Sequence, residues 1–326
     1  MIASATLYFN RMSPERMGVL LAVLAATGFS MKAIFVKLAY SAAPIDPITT
    51  LSLRMLFSLP LFLWIGRNVL FSGPALGRRD WCMLLALGLL GYYGASILDF
   101  MGLQYISAGL ERLILFTYPT ITLLIGVLFM GHALRKSQVA AVMLSYLGIG
   151  IAFWHDLSFT ENTSELLLGA ALVFASAISY AMYSAGTEGM VRKIGSLRFA
   201  VLATLVSTVA TQIHFVVSQP VSHLLQPAEV YFYCAAMAVF STVLPVVWQS
   251  MAIRSIGSAR AVLIGTLGPV LSIVFAWALL SEPISVFQLI GAGFVLAGVY
   301  LVWRPLKWSL SVVVWLARMP RRWLWV

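Results

Sequence analysis

Residues 17–40 read MGVLLAVLAATGFSMKAIFVKLAY. This is an almost unbroken apolar run, preceded by Arg11 and Arg16. About 20 mostly apolar residues cross the hydrocarbon of a bilayer, so the run is long enough to span. It is too long for the apolar part of a typical signal peptide, and Lys32 and Lys37 interrupt it. Retention as a membrane helix is therefore expected over cleavage near Ala39-Tyr40-Ser41-Ala42-Ala43. Working outward from it, similar runs lie near 48–66, 82–102, 107–130, 137–154, 166–188, 198–218, 229–252, 258–280 and 284–303. The reading is an all-α integral membrane protein of ten transmembrane helices joined by short loops.

Composition points the same way. Of 326 residues, 61% are hydrophobic and 10% charged, whereas a soluble domain carries about a quarter charged residues. The net charge of +10 does not imply nucleic acid, because the basic residues form no continuous patch. They sit at the ends of apolar runs: Arg67, Arg78, Arg79, Arg135, Lys136, Arg192, Lys193, Arg198, Arg254 and Arg260 fall in alternate connections. The opposite connections carry Asp46, Asp156, Glu161, Glu165, Glu229 and Glu282 without Lys or Arg. That segregation is the positive-inside pattern for an even number of spans with both termini cytoplasmic. The expected organisation is a cytoplasmic N-terminus over 1–16, five spans over 17–154, five more over 166–303, and a Trp- and Arg-rich tail over 304–326. The tail's apolar part is half a span long and is expected to lie at the membrane surface; an eleventh span is the alternative. Cys82 and Cys234 are expected near opposite membrane faces, too far apart to bridge.

A shift of 150 positions overlays two stretches without a gap. Met101 falls on Met251, Ile106 on Ile256, Leu113-Ile114 on Leu263-Ile264, Pro119 on Pro269, Gln138 on Gln288 and Gly148 on Gly298. With five spans per half, the second half would be inverted relative to the first, as in transporters built from inverted repeats.

Several stretches together resemble a known family. Gly28-Phe29-Ser30-Met31-Lys32-Ala33-Ile34-Phe35-Val36-Lys37-Leu38-Ala39 and Leu53-Arg54-Met55 look like the opening of an EamA-type member of the drug/metabolite transporter superfamily. So do Ser107-Ala108-Gly109-Leu110-Glu111-Arg112 leading to Tyr118-Pro119, and Gly257-Ser258-Ala259-Arg260-Ala261 leading to Gly268-Pro269. The close Leu280-Ser281-Glu282-Pro283, followed by Gln288 and Gly291, is similar to the end of each half; the first half departs from it, with His132 in the acidic position. The resemblance covers 17–303. It implies two EamA-like repeats of five helices each, 17–154 and 166–303, and secondary transport, often export, of small metabolites.

Ionisable groups inside a span are costly and need a reason. Lys32, Lys37, Arg54, Asp99, Glu111 and Arg112 qualify, all in the first repeat; Glu111 and Arg112 align with Ala261 and Val262. Four basic and two acidic groups favour an anionic solute group in a wet cavity. Otherwise Lys37 and Arg112 snorkel to the interface, and Arg54 pairs with Asp99 or Glu111 only to tie helices together. Glu111 and Asp99 are candidates for carrying a coupling proton. Glu111, Leu115, Tyr118 and Thr122 share a stripe on a regular helix. Tyr118 and Trp248 are candidate substrate contacts, with Tyr92, Tyr93, Tyr180, Tyr183 and Gln249 as further aromatic or polar lining. Pro119 and Pro269 are candidate hinges, because proline removes a helix hydrogen bond. Small residues Ala171, Ala175 and Ser179, and Gly293 and Ala297, are expected at close helix contacts within the monomer, with a homodimer contact as the alternative.

No phosphate-binding loop, His-Glu-x-x-His motif or Cys–His metal spacing is present, so an enzyme, a metal site and a cofactor are not expected. His155-Asp156 is read as a solvated loop pair. The expected partners are a small-molecule substrate, protons as the candidate coupling ion and the lipid bilayer. The expected function is a secondary transporter, an exporter of amino-acid-like or organic-anion-like metabolites, in the bacterial inner membrane. A channel or a membrane sensor is the alternative.

Overall fold

A backbone group left unpaired in hydrocarbon is expensive, and a helix pairs its groups internally. Each apolar run accordingly becomes helix. The computed structural model describes residues 13–70, 73–130, 136–159 and 162–303. The first half holds α1 (Pro14–Ala42), α2 (Pro47–Leu70), α3 (Arg78–Gly102), α4 (Ala108–Leu115), α5 (Tyr118–Met130) and α6 (Lys136–Phe159). The second holds α7 (Thr163–Ile194), α8 (Ser196–Ser218), α9 (Ala228–Ile256), α10 (Ser258–Gly265), α11 (Gly268–Leu280) and α12 (Val286–Trp303). Among the described residues, eight segments, α4–α5 counted as one, are long and apolar enough to cross a membrane, and α11 and α12 are shorter apolar helices. Each expected span overlaps these helices, several of which run longer, α7 most of all. The expectations for His132 and for the 304–326 tail lie outside the described residues.

Helix starts follow local chemistry. Ser13 accepts a hydrogen bond from the Arg16 N–H, and Pro14 opens α1, as a cap followed by proline favours. Asp46 accepts from the Thr49 N–H at 2.9 Å and from its hydroxyl at 2.6 Å.

The 150-residue period extends to the helix starts. Arg78 and Ala228, Ala108 and Ser258, Tyr118 and Gly268, and Lys136 and Val286 begin matching helices. Interruptions repeat as well. α3 widens into a π-helical turn at Leu89–Gly94 and α9 at Val239–Val243. The turn at Phe116–Thr117 between α4 and α5 has its counterpart at Thr266–Leu267. Pro119 and Pro269 explain the second pair, since neither can donate to the carbonyl four residues earlier. Pro245 acts likewise just beyond the α9 π turn.

No proline accompanies the π turn in α3; hydroxyls from α7 support it instead. Ser179 donates to the Leu90 carbonyl at 2.8 Å, and Ser176 to the Ala95 carbonyl at 2.6 Å. Hydrogen bonds between membrane helices are worth about 0.6 kcal/mol on average and up to about 1.7. Ser179→Ala is therefore expected to destabilise by about 1 kcal/mol, read as a lowered thermal midpoint of the purified protein. Ser58→Ala, whose hydroxyl bonds only within its own helix, is the control and should cost less.

Helices of the two halves pack antiparallel. On α1 and α9, Gly18 lies against Ser255 and Ile256, while Gly28 lies against Phe240 and Pro245. On α3 and α7, Gly102 meets Val173, Ala95 meets Ser176 and Gly91 meets Tyr183. On α6 and α12, Gly148 meets Gly291 and Ala141 meets Gly298. This last pair is reciprocal, because Gly291 and Gly298 are the 150-residue counterparts of Ala141 and Gly148. The expected small-residue stripes are revised here. Gly293, Ala297 and Ala171 face outward, and the contacts are made by Gly291 and Gly298 on α12 and by Ser176 and Ser179 on α7. Large apolar side chains such as Leu128, Phe129, Met143, Trp154 and Val217 point outward around the bundle, as lipid contact requires.

Candidate functional site

Three of the expected ionisable residues converge. Lys32 on α1 places its Nζ 2.6 Å from Asp99 Oδ2 on α3 and 3.9 Å from Glu111 Oε1 on α4. Asp99 is 1% and Glu111 0% exposed. Two buried carboxyls thus share one ammonium, and breaking such an arrangement by removing one partner is strongly destabilising.

Local structure fixes each member. Glu111 lies in the first turn of α4, whose start is held twice. Ser107 accepts from the Leu110 N–H at 3.1 Å. The Glu282 carboxylate, arriving from the α11–α12 turn of the other half, accepts from the Ala108 N–H at 3.1 and 3.3 Å. A carboxylate complements the positive end of a helix. Asp99 sits near the end of α3, beyond the π turn, and the next carbonyl, that of Phe100, accepts from the Tyr40 hydroxyl at 2.8 Å.

Arg54 does not join the trio. The expected pairing with Asp99 or Glu111 is replaced by a hydrogen bond to Ser96 Oγ at 3.3 Å and by stacking of its Cζ over the Phe100 ring at 5.2 Å. It is 4% exposed and lies beside the trio, its charge within range of Asp99 but not at ion-pair distance. Lys37 is half-buried, five residues beyond Lys32 on α1 and within range of the Glu282 charge. Arg112 makes no ion pair with the trio among the described residues, although its charge is within range of Glu111: its Cζ lies 5.9 Å over the Phe116 ring, and its Nε is buried without a hydrogen-bond partner.

Tyr118 stacks edge-on against Tyr180 at 4.8 Å, and Tyr180 continues to Tyr183 at 5.4 Å and thence to Tyr92 at 5.6 Å. Four of the proposed lining tyrosines therefore form one string. The stripe Glu111–Leu115–Tyr118–Thr122 assumed a continuous helix; the turn at Phe116–Thr117 breaks it. Trp248 packs with Leu21, Ala22, Ala252 and Ala261 at the far end of α1 and α9, in an apolar cluster away from the charges. Tyr93 instead bonds His214 Nδ1 at 2.9 Å.

Sequence reasoning missed the hydroxyl ties. Ser30 donates to the Gly268 carbonyl at 3.1 Å, and Ser272 donates to the Ser30 carbonyl at 3.2 Å. These join α1 to the start of α11. Their only signal was a serine inside an apolar run. His155-Asp156 also differs from expectation: it lies within α6, with His155 stacked on Phe287 at 4.9 Å and Asp156 3.4 Å from Gln288. An apolar groove of about 410 Å³, lined by Tyr146, Leu147, Gly150, Ile151, Trp154 and Phe287, faces outward between α6 and α12. It carries no ionisable acid or base beyond Tyr146 and is suited to lipid rather than to the chemistry of the trio.

Comparison with known proteins adds the following. The model of the EamA-like transporter family matches twice, over residues 16–154 and 167–304. The chain is 28% identical over 305 residues to the uncharacterized transporter YcbK of Bacillus subtilis (strain 168), covering 89% of this chain and 94% of that protein. It is 24% identical over 311 residues to a probable amino-acid metabolite efflux pump of Escherichia coli (strain K12), covering 90% and 97%. One crystal structure, 16% identical, superposes with a TM-score of 0.64 over 87% of this chain and 96% of that one, a likeness of fold.

Proposed function

The chain belongs to the EamA-like transporter family, and from that premise we propose that it is a secondary transporter, an exporter of small organic metabolites of the amino-acid or organic-anion kind. It is a multi-pass membrane transporter and not an enzyme. In the reading proposed, ten spans form two five-helix inverted repeats, both termini face the cytoplasm, and the bilayer is the bacterial inner membrane. The two halves exchange conformations to open the site alternately to each face.

The observation that carries this reading is the reciprocal antiparallel contact of α6 and α12, Gly148 with Gly291 and Ala141 with Gly298. Two similar chains related by a two-fold axis lying across their helices touch in this way, and such an axis inverts one half relative to the other. The buried Lys32–Asp99–Glu111 trio supplies the polar centre. Protons are the coupling ion proposed, taken up and released at Asp99 and Glu111. The relative named a probable amino-acid metabolite efflux pump supports the substrate class.

The test is uptake of amino acids and organic acids into inside-out vesicles, with and without an imposed pH gradient. Saturable uptake that responds to the gradient is expected, and Glu111→Gln should reduce it at least tenfold while the protein stays in the membrane. Flux without saturation would favour a channel. Unchanged transport in both Glu111→Gln and Arg54→Gln would remove the buried charges from the mechanism. Reporter fusions at Arg79 and Glu229 should report opposite compartments.

A further inference from the structure

We propose that the interruption between α4 and α5 is a carboxylate-recognition point, separate from the Lys32–Asp99–Glu111 trio. The inference rests on the transport reading and names the chemical group that the solute presents.

Four observations meet there. α5 is a 13-residue helix that starts inside the span, and no acidic side chain lies in its first turn. Pro119 has no N–H and the Ile121 N–H bonds the Thr117 carbonyl at 3.0 Å, so the Tyr118 and Thr120 N–H groups and the positive dipole end are what this helix start offers an anion. Thr117, the residue before α5, is 1% exposed, and its hydroxyl has no hydrogen-bond partner. Arg112, 7% exposed, folds along α4 onto this turn, with its Cζ over Phe116 and its charge within range of the Tyr118 and Tyr180 side chains. Its Nε is buried and unpartnered, and among the described residues no ion pair joins it to a carboxylate. The second helix break is also close: the Phe116 ring lies 3.2 Å from the place a Cβ on Gly268 would occupy, at the start of α11.

A guanidinium N–H, a hydroxyl and a helix start are all donors, and they surround one turn. The Arg112 charge is within range of Glu111 on the same helix, yet its Nε and the Thr117 hydroxyl stay buried without a hydrogen-bond partner, and the complement that fits these donors is an oxyanion. The second repeat has Val262 and Leu267 where the first has Arg112 and Thr117. The donor set therefore exists once, and one solute carboxylate fits it. The rings of Phe116, Tyr118 and Tyr180, at 6.0 and 4.8 Å centroid spacing, flank the turn and suit an apolar body attached to that carboxylate.

The experiment uses the full chain in nanodiscs, titrated with acid and amide pairs: leucine and leucinamide, benzoate and benzamide, succinate and succinamide. Binding is read from the thermal midpoint, and counterflow in proteoliposomes is run with the same compounds. At least one acid should bind tenfold or more tighter than its amide. Arg112→Gln should remove that preference, and Thr117→Val should weaken acid binding roughly three- to tenfold without changing amide binding. Thr117→Val introduces no charge change, so it decides the matter should Arg112→Gln fail to fold. An unchanged acid-to-amide ratio in folded variants overturns the proposal, as does a panel in which no acid binds. Counterflow of amides alone would overturn the carboxylate point and leave the transport reading standing.

Discussion

Lys32→Met is expected to destabilise the protein by about 3–5 kcal/mol, the range for removing one partner from a buried ion pair. The ammonium lies 2.6 Å from Asp99 and 3.9 Å from Glu111, whose carboxyls are almost wholly shielded from solvent. Without it, both face low-dielectric surroundings with no cation at hydrogen-bond distance. Arg54 is held by Ser96 and Phe100, so its charge acts on Asp99 without contact and offsets only part of the loss. The measurement is thermal or denaturant unfolding of the purified protein in detergent. The double variant Lys32→Met/Asp99→Asn should recover part of the loss, because it removes one of the stranded carboxylates. A single variant as stable as the parent, or a double variant worse than the single, would show that the three side chains are not electrostatically joined.

The second large effect is steric. A Cβ added at Gly148 would sit 2.4 Å from the Gly291 carbonyl oxygen, and one added at Gly291 would sit 2.5 Å from that of Gly148. Backbone cannot swing aside as a flexible side chain can. Gly148→Val therefore forces α6 and α12 apart, with an expected cost of about 3 kcal/mol, the upper part of the usual range for overpacking. Gly150 lies two residues on, and a Cβ there meets nothing within 4 Å. Gly150→Val should stay within about 0.5 kcal/mol of the parent. Equal midpoints for the two variants would mean that the halves do not touch at Gly148. Because the contact joins the two repeats, Gly148→Val should also depress transport beyond what lost protein explains.

Much of the architecture is written along the chain. Span positions depend on local sums of apolar length, and the expected α1, α4–α5 and α8 fall within a few residues of the helices observed. The 150-residue period was visible in Pro119 and Pro269, since a proline interrupts a helix from its own ring geometry, whatever surrounds it. The identities of the buried ionisable residues were equally legible: a charge in a long apolar run stands out without any knowledge of its neighbours.

Which of those residues meet was not legible. A helix turns about 100° per residue, so an error of one position in its rotation moves a side chain from one neighbour to another. The π turn in α3 alters that rotation ahead of Ser96 and Asp99, and no proline announces it; hydroxyls on α7, 81 and 89 positions away in sequence, support it. Hence Lys32 rather than Arg54 faces Asp99, and Gly291 and Gly298 rather than Gly293 and Ala297 touch the other half. Sequence alone determined that the chain crosses a membrane in two similar halves with charges buried in the first, because length, hydropathy and period are properties of the chain itself. Tertiary structure alone decided the partners of those charges, because helix rotation and close approach are set by the opposing helices.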